Sequence, residues 1–213
     1  MSKFGWINHT QEIEKNWKNT VHKEDLVLIP GDISWAKNPK EAIPDLEFLH
    51  ALPGTKLLLK GNHDYWWPSN QKLSELLPPS LHFICNTIFN FKSVTIGGTR
   101  FWDSPEYNLN YEAKIDLKLY ERELERLKVS LTNLDPLAKT RIIMTHYPPI
   151  GMDMADSAAS RLFEEFHIDF ALFGHIHNMP PTPRLYGKKG NVQYLLTACD
   201  YLSFTPQFIA EIH

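Results

Sequence analysis

The chain has 213 residues, of which 43% are hydrophobic and 22% charged, and a formal net charge of -3 at pH 7. This is the balance of an ordinary globular protein with one sizeable core, and no linker, internal repeat or low-complexity stretch divides residues 1–213 into more than a single domain. The slight negative charge speaks against general nucleic-acid binding, which rests on neutralising phosphates with Lys and Arg. No run approaches the roughly twenty apolar residues needed to span a bilayer.

In chain order, Ile13, Trp17 and Val21 recur at helical spacing behind Asn8 as a cap. Leu26 to Ile29 is a short apolar run closed by Pro30-Gly31-Asp32, the pattern of a buried strand. A second helix starts after Pro39 and buries Ile43, Leu46 and Leu49. The strand Leu57-Leu58-Leu59 leads into Gly61-Asn62-His63-Asp64, and a third helix runs from about Ser69 to Leu77, ended by Pro78-Pro79. Phe83-Ile84 and Val94-Thr95-Ile96 read as strands that open a second sheet. A charged helix from Glu112 to Lys128 buries Ile115, Leu119, Leu124 and Leu127 and turns a solvated face outward. Ile142 to Met144 then leads into Thr145-His146, and Phe170 to Phe173 into Gly174-His175-Ile176-His177. Gln193 to Thr197 and Phe208 to Ile212 supply late strands. Strands separated by helices define an α/β architecture.

Four of these segments are strands that end in polar residues: Gly31-Asp32, Gly61-Asn62-His63-Asp64, Thr145-His146 and Gly174-His175-Ile176-His177. In open α/β sheets, ligands collect in the crevice beyond the carboxyl ends of the strands, so residues ending different strands meet in space. Glycine at each strand end permits the sharp exit that aims a side chain into that crevice. Asp, Asn and His are ligand types for a divalent transition metal such as Mn, Fe or Zn. A structural zinc site would use more cysteine than Cys85 and Cys199 supply, and a calcium site would want carboxylates and carbonyls, not histidines. The set therefore points to metal-activated water chemistry.

The ordered series Gly-Asp, Gly-Asn-His-Asp, Thr-His and Gly-His-Ile-His resembles the calcineurin-like metallophosphoesterase family, over most of the chain from Gly31 to His177. The resemblance implies a four-layer α-β-β-α sandwich and a two-metal site that hydrolyses phosphoesters. It implies that Asp32 bridges both metals, that Asn62, His146 and His175 complete the second, and that His177 belongs to the first. It also implies that His63 donates a proton to the leaving group, with Asp64 accepting a hydrogen bond from the other ring nitrogen of His63.

One family block is missing. Members of the family normally open with an apolar strand ending in Asp-x-His, whose two side chains bind the first metal. Here the chain begins Met1-Ser2-Lys3-Phe4-Gly5-Trp6, with no Asp-x-His before Gly31. The expectation is a sandwich without its first central strand, a second metal site with four protein ligands, and a first site left with Asp32 and His177 alone. Two explanations compete: the sequence starts downstream of that strand, which is favoured, or the protein is a natural mononuclear variant. His9 and His22 are read as surface histidines, not replacement ligands.

The function expected is hydrolysis of a small-molecule or nucleotide-like phosphoester, with no membrane or general nucleic-acid partner. A metal-binding scaffold of the same fold that has lost catalysis is the alternative, and an amidase or deacetylase a more distant one. Two isolated cysteines and polar first residues without a secretory apolar core fit the cytoplasm. Trp35, Tyr65-Trp66-Trp67 and Trp102 read as packing or a lid over the loops. Asp103, Glu106, Asp153, Asp156 and Asp200 read as solvated loop carboxylates. Arg100 and Arg184 lie outside the motifs and outside the expected site.

Overall fold

Two sheets lie face to face in the structure, a computed structural model that describes residues 4–107, 114–179, 182 and 184–212. The first sheet is parallel and takes β1 (Leu26–Ile29), β2 (Thr55–Leu59) and β3 (Leu81–Ile84) in the order β1-β2-β3. The second contains β4 (Ile88–Phe91), β5 (Val94–Thr99), β6 (Thr140–Thr145), β7 (Phe170–Phe173), β8 (Gly187–Lys189) and β9 (Val192–Leu196). Its order is β4-β5-β6-β7-β9-β8. The pairs from β5 to β9 are parallel, and antiparallel β4 and β8 close the edges.

The period of two along each strand sorts side chains into layers. Leu57, Leu59 and Ile84 of the first sheet meet Val94, Ile96, Ile142, Met144 and Leu172 of the second in one shared core. On its outer face the first sheet turns Leu58 and Leu81 to helices α2 (Pro39–Ala51) and α3 (Asn70–Leu76), through Ala42, Leu46 and Leu73. Helix α1 (His9–Thr20) packs Trp17 beside Val27 and Ile29, and its indole N–H donates to Pro53 O at 2.9 Å. Helices α4 (Leu117–Thr132) and α5 (Ala158–Glu165) cover the second sheet, where Leu127, Leu131 and Phe163 meet Ile143, Ala171 and Phe173. The result is the expected α-β-β-α sandwich. Each fully buried Leu, Ile or Phe contributes about 1.5–3 kcal/mol, so the shared core is a main source of stability. Among the described residues no helix is long and apolar enough to cross a membrane.

Helix starts follow local chemistry. Asn38 accepts the N–H of Glu41 ahead of Pro39 at the first helical position of α2, a residue type whose missing N–H costs nothing there. Ser157 and Ser160 exchange side-chain and backbone hydrogen bonds in a capping box at the start of α5. Asp116 accepts from Leu119 N and starts α4.

Several elements differ from the sequence reading. Phe83-Ile84 belongs to β3 of the first sheet, and the second sheet is opened by β4, which sequence patterning overlooked. Ile43 is 42% exposed, because the buried stripe of α2 runs through Ala42 and Leu46. Glu112 lies outside the described residues, and α4 ends at Thr132, beyond Lys128. Its buried face is Tyr120, Glu123, Leu127, Ser130 and Leu131. That face is rotated toward Glu123, which accepts from Thr99 Oγ1 at 2.7 Å and from Arg126 at 2.5 Å; a paired carboxylate takes a place where an apolar residue was expected. Phe208 to Ile212 forms no strand; Ile209 and Ile212 pack against the inter-sheet core while Phe208 stays 79% exposed. Strand β1 stands at the edge of its sheet with all four residues half-buried, and among the described residues only β2 pairs with it.

Candidate functional site

Strands β1 and β2 of one sheet and β6 and β7 of the other all point their carboxyl ends the same way, and their exits meet above the shared core. The turns after β1 and β2 interlock backbone against backbone. A Cβ on Gly61 would overlap Asp32, and one on Gly31 would press on Gly61 and His146. Gly31 takes a φ of +103°, open to glycine alone, and Asp32 follows at 57°. The second angle is a strained left-handed conformation of the kind held only where surroundings over-determine it.

Asp64 ties these turns together. It is 1% exposed. Its Oδ2 accepts the N–H groups of Asp32 at 2.9 Å and Gly61 at 2.7 Å. Its Oδ1 accepts the N–H of Ser34 at 3.0 Å and the indole N–H of Trp66 at 2.9 Å. Burial pushes the Asp64 pKa up, while the bonds from Ser34, Gly61 and Trp66 pull against that rise. A carboxylate offers about four acceptor positions, and all are occupied. Asp64 therefore does not pair with the His63 ring as expected; its neighbour in sequence is not its partner in space.

The side chains of Asp32, Asn62, His146 and His175 converge. Asn62 Oδ1 lies 2.6 Å from His146 Nε2 and 3.0 Å from His175 Nδ1, and the two ring nitrogens are 3.2 Å apart. Asp32 Oδ1 stands 3.5 Å from His146 Nε2 and accepts the N–H of His63 at 2.9 Å. His146 is 1% exposed, and burial holds its pKa below the ordinary histidine value although Asp32 pulls the other way. Its Nδ1 faces Pro30 O at 2.8 Å, a carbonyl that only accepts, so the proton sits on Nδ1 and Nε2 turns a lone pair inward. His175 is pushed down to about 3 by burial first, then by His146, His177 and His63. It adopts a φ of 69° and packs its ring 4.1 Å from that of Tyr147.

Among the described residues no group of three or more His, Cys, Asp or Glu side chains is disposed to hold a metal ion. What converges is a mixed set of two neutral imidazoles and an amide oxygen, with Asp32 in contact with one of the rings. With His146 protonated on Nδ1, a neutral His175 places at most one proton between Asn62 Oδ1, His146 Nε2 and Asp32 Oδ1, and none when its own proton sits on Nε2. Acceptors outnumbering protons around one point, with one carboxylate charge, fit a divalent cation of the transition series by donor chemistry.

His177 stands apart from that set. Its Nδ1 meets Asp200 Oδ1 at 2.9 Å, and Asp200 Oδ2 accepts the N–H of Asn178 at 2.8 Å. Burial works against the Asp200 charge, yet the Asn178 N–H and His177 hold its pKa below the usual carboxylate value. Phe4 and Trp6 pack on the His177 ring at 4.7 and 5.3 Å. The solvated-loop reading of Asp200 is thus replaced: it follows β9, the strand beside β7, and the same strand-end rule that found His175 points to it. Arg100, which follows β5, was also passed over. Its carbonyl accepts the N–H groups of His146 and Tyr147, its guanidinium covers Trp102 at 4.8 Å, and its charge helps to lower the His146 pKa.

An α-β-β-α sandwich with Asp, Asn and His gathered at the strand ends is the architecture of the metallophosphatase class. The calcineurin-like phosphoesterase family model matches residues 5–179, and the chain belongs to that family. It is 38% identical over 69 residues to the Gene 66 protein of Mycobacterium phage L5, a match that covers 32% of this chain and spans only 33% of that protein. To the Gene 66 protein of Mycobacterium phage D29 it is 25% identical over 175 residues, 80% of this chain and 67% of the other. Among solved structures, the protein of unknown function AQ665 from Aquifex aeolicus superposes with a TM-score of 0.52 at 16% identity, over 96% of this chain and 83% of that one; this likeness carries the fold alone. Family membership supports a metal-dependent phosphoester hydrolase in general terms.

Proposed function

We propose that the chain hydrolyses a small-molecule or nucleotide-like phosphoester with a divalent cation of the Mn, Fe or Zn kind held by Asp32, Asn62, His146 and His175. The observation that carries this reading is the convergence of Asn62 Oδ1, His146 Nε2 and His175 Nδ1 within 2.6–3.2 Å of one another at the ends of three strands. Such a cation, when bound, acidifies water and neutralises charge on phosphoryl oxygens. The chain's own residues do the rest. Burial keeps His146 and His175 neutral and so able to donate lone pairs. Asp32 supplies the negative charge, and its position is fixed by the bond from its N–H to Asp64. His63, half-buried beside Asn62, delivers a proton to the leaving oxygen. Arg100 adds a fixed positive charge near His146, of the type that binds phosphate oxygens in bidentate fashion. His177, held by Asp200, would be the residue to hold a second cation. Cys85 and Cys199 are free, which accords with a reducing compartment such as the cytoplasm.

Elemental analysis of the purified protein beside an Asp32→Ala variant tests this reading. About one transition metal per chain, lost on substitution, is the expected result. Two per chain would assign His177 and Asp200 a fuller part, and none in either protein would refute the metal site and favour a scaffold.

A further inference from the structure

Asp64 is committed to four N–H groups, which leaves open what orients the ring of His63. Among the described residues no hydrogen bond reaches that ring. Its backbone is fixed by the N–H bond to Asp32 Oδ1 at 2.9 Å, so two side-chain torsions remain to be set. Two aromatic rings flank the imidazole. Trp35 lies over the imidazole with centroids 4.6 Å apart and planes inclined by 31°. Tyr65 meets it edge-on at 6.1 Å and 81°. The first pair is tilted and the second T-shaped, and both centroid separations lie in the range at which aromatic rings attract.

The placement of Trp35 argues for a purpose. Its ring stays 36% exposed and is not sealed within the core. Trp66 and Trp67, a few residues beyond His63, are by contrast buried in the core beside α2 and α3. Trp35 also sits three residues after Asp32 on the turn that Asp64 stitches through Ser34 N, and the edge of Phe4 approaches it at 6.1 Å. The turn that carries a candidate ligand therefore also carries the ring that covers His63.

We infer that Trp35 is the positioning residue of His63: its indole face, not a carboxylate, holds the imidazole at the angle from which it protonates the leaving oxygen. The proton passes from the imidazole to that oxygen as its bond to phosphorus breaks, and the ring is reprotonated from water. The proton transfer rests on the hydrolase reading above, whereas the stacking does not.

The test compares wild type with Trp35→Ala and Trp35→Phe, each checked for an unchanged unfolding transition. Rates with Mn²⁺ are measured on p-nitrophenyl and phenyl esters of phosphate, the second having the poorer leaving group. General acid catalysis is worth about 100- to 10,000-fold. A misplaced acid should therefore cost Trp35→Ala about 10-fold or more extra in kcat on the phenyl ester relative to the p-nitrophenyl ester, with KM nearly constant, and Trp35→Phe should recover most of the loss. A merely structural role would lower both rates alike, and that result would overturn the inference. The imidazole C–H signals of His63, assigned with His63→Gln in the metal-free protein, supply a readout independent of turnover. Ring current from Trp35 should shift them upfield in wild type and Trp35→Phe but not in Trp35→Ala, and signals indifferent to Trp35→Ala would sink the stacking itself. A wild type inert toward every ester would remove the hydrolase reading, while these signals would still uphold or overturn the contact.

Discussion

Replacing Asp64 by alanine separates two roles that one residue was expected to combine. The carboxylate accepts four hydrogen bonds between 2.7 and 3.0 Å, from Asp32 N, Ser34 N, Gly61 N and Trp66 Nε1. Ser34, Gly61 and Trp66 are buried, so water does not readily replace the lost acceptor. A hydrogen bond to a charged group contributes about 1.5–3 kcal/mol, and a buried donor left unpaired costs about 1–3 kcal/mol. The four share one carboxylate and do not add, so the expected loss is about 4–6 kcal/mol, a large part of the roughly 5–15 kcal/mol that stabilises a domain. With a urea slope of about 2 kcal/mol/M, the unfolding midpoint should fall by roughly 2–3 M. Asp64→Asn keeps one oxygen and should fall about half as far. Metal content should drop with stability, because Asp32 and Gly61 are the backbone groups released. A stable Asp64→Ala protein, within about 1 kcal/mol of wild type but without turnover, would refute this reasoning and return Asp64 to the side of His63.

Two further outcomes follow from the same geometry. The metal-free protein should lose stability as pH falls below about 6.5, because the unfolded chain then protonates a histidine that the folded chain keeps neutral down to about 3 at His175. The folded-state pKa is depressed, so this contribution is whole above the unfolded value and declines by about 1.4 kcal/mol per pH unit beneath it. Urea unfolding between about pH 7 and pH 5 should show that slope and a shallower one in His175→Gln; equal slopes would deny the burial effect. Asp200→Ala should free His177 and weaken binding of a second cation by about 10- to 100-fold, as loss of a carboxylate behind a ligating histidine does, with Asp200→Asn milder and the first cation unaffected. Calorimetric titration with Mn²⁺ reads this, and unchanged binding would mean that His177 takes no part.

Periodicity in the residues was enough to place the four strands that end in Asp32, Asn62, His146 and His175, because a buried strand needs a short apolar run and a sharp exit needs glycine. It was enough, too, for the start of α2 behind Asn38 and Pro39. It could not separate β3 from β4, since sheet membership depends on which neighbour supplies hydrogen bonds, nor show that the stripe of α4 passes through Glu123, whose burial depends on Thr99 of β5 as well as on Arg126 one turn along the same helix. The polar residue types at the strand ends and the alternation of strands with helices were written locally, whereas the α-β-β-α order came only with the family resemblance that the motifs carry. Partnership was not written locally. Asp64 follows His63 in sequence yet accepts three backbone N–H groups from two turns, Trp35 approaches a ring 28 positions away, and Asp200 takes up His177 from the neighbouring strand. Local sequence sets backbone conformation through short-range sterics and apolar spacing, whereas the pairing of polar groups is settled only when distant segments are packed and each buried donor must find an acceptor.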